Sequence, residues 1–146
     1  VDYEALKNLD AAQTAALDPT AAAAALNAKT LTRVVERMTT SRGLYAALGP
    51  TVAETILQKL EGAAQAEGPY QAVLARAVGW LNAYAGGIDL GDAYTRAMLD
   101  TLQLAGVLTT AEVDALKALA VVPASRAELA GLGDVTPGDV IHARSL

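Results

Sequence analysis

The chain has 146 residues, enough for one domain with its own core, and no cysteine, which excludes disulfides, thiolate metal sites and cysteine nucleophiles. A formal net charge of −5 argues against generic adhesion to nucleic acid or to an anionic membrane, since both need a positive surface. Hydrophobic residues make up 53%, aromatics only 4%, and 33 residues are alanine, which favours helices packed through small side chains over sheets.

In chain order, residues 2–9 read as a short first helix, with Asp2 as its N-cap and Tyr3, Leu6 and Leu9 apolar. Residues 10–17 are alanine-rich and ambiguous. Asp18-Pro19 restarts the chain, because proline at the first helical position costs nothing and aspartate caps. A helix over 20–27 follows, ended by Asn27. Residues 29–42 fit two states. Their β-branched content suits a strand or extended arm, while Leu31, Val34, Val35 and Met38 share one side of a helix. Ser41–Leu48 reads as a short helix, and Gly49-Pro50 breaks it and starts the next. The helix over 50–66 lines Val52, Ala53, Ile56, Leu57, Leu60 and Ala64 along one side. Gly68-Pro69 starts another over 69–84, with Val73, Ala77, Trp80, Leu81 and Tyr84 as its apolar face. Residues 86–91 form a loop and a soft boundary.

Asp92 then caps a helix whose apolar face is Tyr94, Met98, Leu102 and Ala105. Gly106 suits a helix end, and Thr109 with Glu112 forms a capping box for the next helix, with Val113, Leu116 and Ala120 inward. The two helices read as an αα-hairpin. Val121-Val122-Pro123 is an extended connector. Ser125 with Glu128 is a second capping box, opening a short helix over 126–131. Thr136, Pro137 and Asp139 open the last, with Val140, Ile141 and Ala143 apolar. The sum is an all-α, compact multi-helix fold of about seven to nine short helices. It forms a single domain over 1–146, in which residues 1–30 can serve as an N-terminal arm. No stretch approaches the roughly 20 apolar residues that span a bilayer. The alanine run 21–25 has no basic segment before it, so no signal peptide is expected.

Little in the chain carries chemistry. Asp139 and His142 could offer a metal two ligands, but zinc wants three or four and no others can be named. The carboxylate pairs Asp89/Asp92, Asp134/Asp139 and Glu54/Glu61 fit capping or a polar helix face better than acid–base work. No catalytic, cofactor-binding or metal residue is expected, and no enzyme. Lys29, Arg33 and Arg37 are spaced by four and make a basic stripe if that stretch is helical. Such a stripe suits a solvated face relieved by Glu36 better than a contact, and as a contact it suits an acidic protein surface better than nucleic acid, which needs more positive charge. Tyr45, Tyr70, Trp80, Tyr84 and Tyr94 are anchors for the core first and for an interface second. Lys29, Arg33, Arg37, Tyr45, Tyr70 and Trp80 are therefore the candidate interface residues. Residues 124–144 also resemble a helix-turn-helix. Its groove-facing residues would be Pro137, Gly138 and Asp139, which are poor readers of base edges.

The runs GIDLGDAYTRAMLDTL, AGVLTTAEVDALKALA and ASRAELAGLGDVTPGDVIHAR, with the phrases LNAKT and SRGLYAALGP, resemble small all-α proteins encoded among the structural genes of tailed bacteriophages. The resemblance covers much of residues 26–144, and its motifs are capping and packing signals. It implies a non-enzymatic virion component of the tail, baseplate or head–tail region, made in the host cytoplasm. It implies other virion proteins or copies of itself as partners; no cofactor or membrane partner is expected, and the negative charge argues against nucleic acid. The rival reading is a small regulatory protein that binds DNA or a host factor through 124–144.

Overall fold

The computed structural model describes residues 1–82 and 85–146. Expectations that fall on Ala83 and Tyr84, including the end of the helix predicted over 69–84, lie outside the described residues. Within them the chain is mainly helical. The elements are α1 (Tyr3–Gln13), α2 (Pro19–Asn27), β1 (Leu31–Val34), β2 (Met38–Thr39), α3 (Ser41–Leu48), α4 (Pro50–Gln65) and α5 (Gln71–Trp80). They continue with β3 (Ile88–Asp89), α6 (Ala93–Leu104), α7 (Thr110–Ala118), β4 (Val121–Ala124), α8 (Arg126–Leu129) and α9 (Pro137–Ser145). The all-α expectation is corrected by two small two-stranded sheets, β1 with β4 and β2 with β3. Both draw one strand from the stretch 29–42. Thr32, Val34 and Thr39 favour the pleated backbone, and the connector at 121–124 and the loop at 88–89 supply hydrogen-bond partners that a helix would not use.

The chain divides into two compact units, a terminal one of Val1–Arg33 with Val122–Leu146, and a central one of Val34–Val121. Neither seam lies in the loop 86–91, and α1 and α2 both belong to the terminal unit. The terminal unit closes on Leu6, Ala22, Ala23, Leu26, Ala127, Leu132, Val135, Val140 and Ala143. Four of these nine are alanines, so α2 and α9 can pack with little between their backbones.

Three polar contacts register this unit. Asn27 donates from Nδ2 to the Val135 carbonyl at 2.7 Å and accepts the Val135 N–H at 2.9 Å. The Tyr3 hydroxyl donates to Asp139 Oδ1 at 3.0 Å, and its ring meets the His142 ring edge-on with centroids 4.4 Å apart. Arg144 binds Asp10 with both ends of its fork, Nε to Oδ2 at 2.7 Å and Nη2 to Oδ1 at 2.8 Å. The same guanidinium also donates to the carbonyls of Thr14 and Leu17, just past the end of α1. Asp10 is only 3% exposed, and Thr14 Oγ1 donates to it as well.

The central unit has a leucine-rich core of Leu44, Ile56, Leu57, Leu74, Leu81, Leu90, Leu99, Leu102, Leu108, Val113 and Leu116, with Ala53 and Ala120. The β2–β3 ladder is antiparallel, with Met38 opposite Asp89 and Thr39 opposite Ile88. Asp89 Oδ1 accepts the N–H groups of both Arg37 and Gly91 at 2.8 Å, which fixes the loop against the strand. Gly91 is required there, because a Cβ would stand 1.9 Å from the Val35 carbonyl oxygen. Gly87 is required too, with φ +92° and a Cβ site 2.5 Å from the Thr39 oxygen.

Helix starts follow the sequence closely. Asp2, Asp18 and Asp92 accept from first-turn N–H groups. Both predicted capping boxes, Thr109/Glu112 and Ser125/Glu128, have both of their hydrogen bonds, and the predicted N-cap Thr136 forms a third box with Asp139. Buried faces follow it less well. In α6 the structure buries Leu99 and Leu102, whereas Tyr94 and Ala105 are exposed. At about 100° per residue, the Leu99–Leu102 face is centred roughly 75° round the helix from the face of Tyr94, Met98, Leu102 and Ala105. The aromatic core expectation is corrected as well: Tyr45, Tyr70, Trp80 and Tyr94 are all exposed, and leucine fills the interior in their place.

Three outcomes follow from these contacts. Asp10→Ala leaves Arg144 without its carboxylate and lowers stability by about 2–3 kcal/mol in urea unfolding. The Arg144 guanidinium, with the Thr14 hydroxyl, holds the Asp10 carboxyl below its ordinary value against the opposing effect of burial. The pair's contribution is therefore complete above the ordinary carboxylate pKa of about 3.9 and fades as pH falls through the lower folded value. The acid limb of the stability curve should flatten in Asp10→Asn. Gly91→Ala, which must displace the Val35 backbone, should cost about 3 kcal/mol or more, whereas Gly62→Ala, where a Cβ meets open space inside a helix, should gain about 0.5–1 kcal/mol.

Candidate functional site

A concavity of the central unit lies between α5 and α6, with a volume of about 450 Å³. That falls in the range of ligand and peptide sites. Its floor is Leu60 from α4, Leu74 and Leu81 from the α5 segment, Ile88 from β3, and Leu99 and Leu102 from α6. Val73, Ala77, Val78 and Met98 form the sides. Trp80, 51% exposed, Tyr94, 88% exposed, and Val73, 50% exposed, also line it and reach solvent. Isolated exposed apolar residues are ordinary on a surface, but several lining one concavity are not.

The sequence explains why the groove forms. Apolar residues on α5 occupy 73, 74, 77, 78, 80 and 81, an arc wider than one neighbouring helix covers. Leu74 and Leu81 turn into the core, and Val73 and Trp80 are left over. The polar lining is Thr95 and Asp92, and both serve the start of α6. Asp92 Oδ2 accepts the Thr95 N–H at 3.0 Å.

The titratable groups displaced from their ordinary values lie elsewhere, each in a structural contact. Burial pushes the Glu112 carboxyl up, but the Lys59 ammonium at 2.5 Å and the Thr109 N–H outweigh it, so the group sits low. Lys29 and the Ser125 N–H hold Glu128 low. Asp139 is lowered by the Thr136 side chain and backbone and by Tyr3, and the same bond raises the Tyr3 hydroxyl. Among the described residues, no group of three or more His, Cys, Asp and Glu is placed to hold a metal ion. No described helix is long and apolar enough to cross a membrane.

Of the six interface candidates, the groove takes one, Trp80. The basic stripe of Lys29, Arg33 and Arg37 does not form, because 31–34 is extended and not helical. Lys29 instead pairs with Glu128, and Arg33 adds to the positive potential there. The Arg37 N–H is bonded to Asp89. Tyr45 and Tyr70 are exposed, the latter at the residue preceding α5, and neither lines the groove. In the helix-turn-helix-like segment, Asp139 is held by its capping box and by Tyr3, and Arg144 is engaged with Asp10. Leu74 and Leu99, missing from the faces read in the sequence, form part of the groove floor. Their spacing from Leu81 and Leu102 is the signal that could have shown it.

Comparison with protein-family models, with curated protein sequences and with solved structures finds no match. Function is therefore argued from the groove itself. Its two layers separate by mutation. Leu74→Ala, in the floor, should lower stability by about 2–4 kcal/mol. Val73→Ala, one residue away at the rim, should change it by less than about 0.5 kcal/mol. Paired urea titrations measure both.

Proposed function

We propose that the protein is a non-enzymatic component of a tailed-phage particle that works by protein–protein packing, with the α5–α6 groove as a contact surface. The observation that carries the packing role is the groove itself. It is an apolar concavity of about 450 Å³ bordered by solvent-exposed Trp80, Tyr94 and Val73. Exposed apolar surface of this kind gains free energy when another apolar surface covers it, and aromatic residues are enriched where partners bind. Among the described residues the groove's polar lining is only Thr95 and Asp92, which meet each other at the start of α6 through Asp92 Oδ2, so shape and apolar area are its main means of recognition. The particle assignment rests on the resemblance of residues 26–144 to small proteins of phage structural gene clusters. Copies of the same chain and other virion proteins are the partners this reading names.

The reading has a direct test. Particles of the phage that encodes the chain are banded on a density gradient and probed for the protein. It should co-sediment with intact particles, and Val73→Glu, which places a charge at the groove rim without touching the core, should deplete it from them. Absence of the wild-type chain from purified particles overturns the assignment.

A further inference from the structure

The dimensions and charge of the α5–α6 groove narrow what it can hold. Its α5 wall runs from Val73 to Leu81, eight residue steps or about 12 Å at the helical rise. Thr95, Met98 and Leu102 line it from α6 over a similar length. A partner helix laid along such a slot offers apolar side chains at i, i+3 or i+4, and i+7 over that distance. Among the described residues the lining holds one charged side chain, Asp92, at the start of α6. Its Oδ2 receives Thr95, so Oδ1 is uncommitted among the described residues.

We infer that the groove takes an amphipathic helix of a partner protein whose apolar stripe ends in a lysine or arginine that meets Asp92. The inference rests on the protein–protein reading above. Charge complementarity selects this occupant. A helix with Asp or Glu at that end would set two carboxylates together, and a wholly apolar one would strip water from Asp92 without replacing it. A lysine or arginine lays its methylene stem along the apolar walls and keeps its charged head at the edge.

Trp80 is the only tryptophan of the chain and lines the groove, so its fluorescence reports occupancy. The probes are three synthetic helical peptides with one shared leucine stripe. They carry lysine, norleucine or glutamate at both ends of it, so that either orientation offers the end group to Asp92. The lysine peptide should bind about fivefold more tightly than the glutamate peptide, the size of a solvent-edge ion pair. Asp92→Asn keeps the helix cap, because asparagine caps as well as aspartate. It should abolish the preference while the norleucine peptide still binds, which separates Asp92 from the chain's overall negative charge. Equal affinities for the lysine and glutamate peptides overturn the inference and leave the groove a contact surface. A lysine preference undiminished in Asp92→Asn does the same. If no peptide alters Trp80 emission, or if all bind Val73→Glu as well as the wild type, the groove reading falls along with it.

Discussion

The bidentate ion pair between Asp10 and Arg144 joins residues 134 positions apart, and the terminal unit depends on that closure. Neither of its segments has a core alone. Leu6, Ala22, Ala23 and Leu26 come from the N-terminal segment, and Ala127, Leu132, Val135, Val140 and Ala143 from the C-terminal one. Their alanines bury little area each, so apolar burial per residue is modest. Directional contacts then carry a larger share of the register: the fork of Arg144, the two-point bond of Asn27 to Val135, and the Tyr3–Asp139 bond. A buried carboxylate tolerates few alternative arrangements of its partner, because misplacing the guanidinium leaves Asp10 charged and desolvated.

What the sequence revealed tracks the range of the interaction concerned. Capping is local, so Asp2, Asp18, Asp92 and the pairs Thr109/Glu112, Ser125/Glu128 and Thr136/Asp139 can be read from residues two to three apart. The pairing of β2 with β3 spans about fifty residues, and its decisive features are two glycines whose missing side chains admit a carbonyl oxygen. Nothing near Gly87 or Gly91 in the chain announces the Thr39 or Val35 backbone. The ambiguity of 29–42 was real for the same reason, since local propensity allowed two states and distant partners chose one. Asp10 lies in an ambiguous alanine-rich stretch and Arg144 at the end of the helix-turn-helix-like segment, and they find each other through the fold alone.

The candidate site was half legible. The apolar residues of α5 were visible, and Val73, Ala77, Trp80 and Leu81 do line one surface. Periodicity cannot tell whether such a surface is covered, and here Trp80 and Tyr94 reach solvent. An aromatic ring asks for more room than the leucine-filled interior of the central unit gives, and leucines at 74, 81, 99 and 102 took the inner positions. The displaced aromatics border a groove lined mainly by apolar side chains, with one carboxylate, Asp92, among them.

The central unit is one unbroken stretch, Val34–Val121, set between the two segments of the terminal unit. This bears on the order of assembly. The central unit draws its whole leucine core from one continuous segment, so it can close without either flanking segment. The terminal unit must join two segments whose contacts enclose that whole stretch, and a compact central unit shortens the free loop that this closure has to span. Loss of the central core therefore raises the entropic cost of the Asp10–Arg144 closure, although the pair belongs to the other unit.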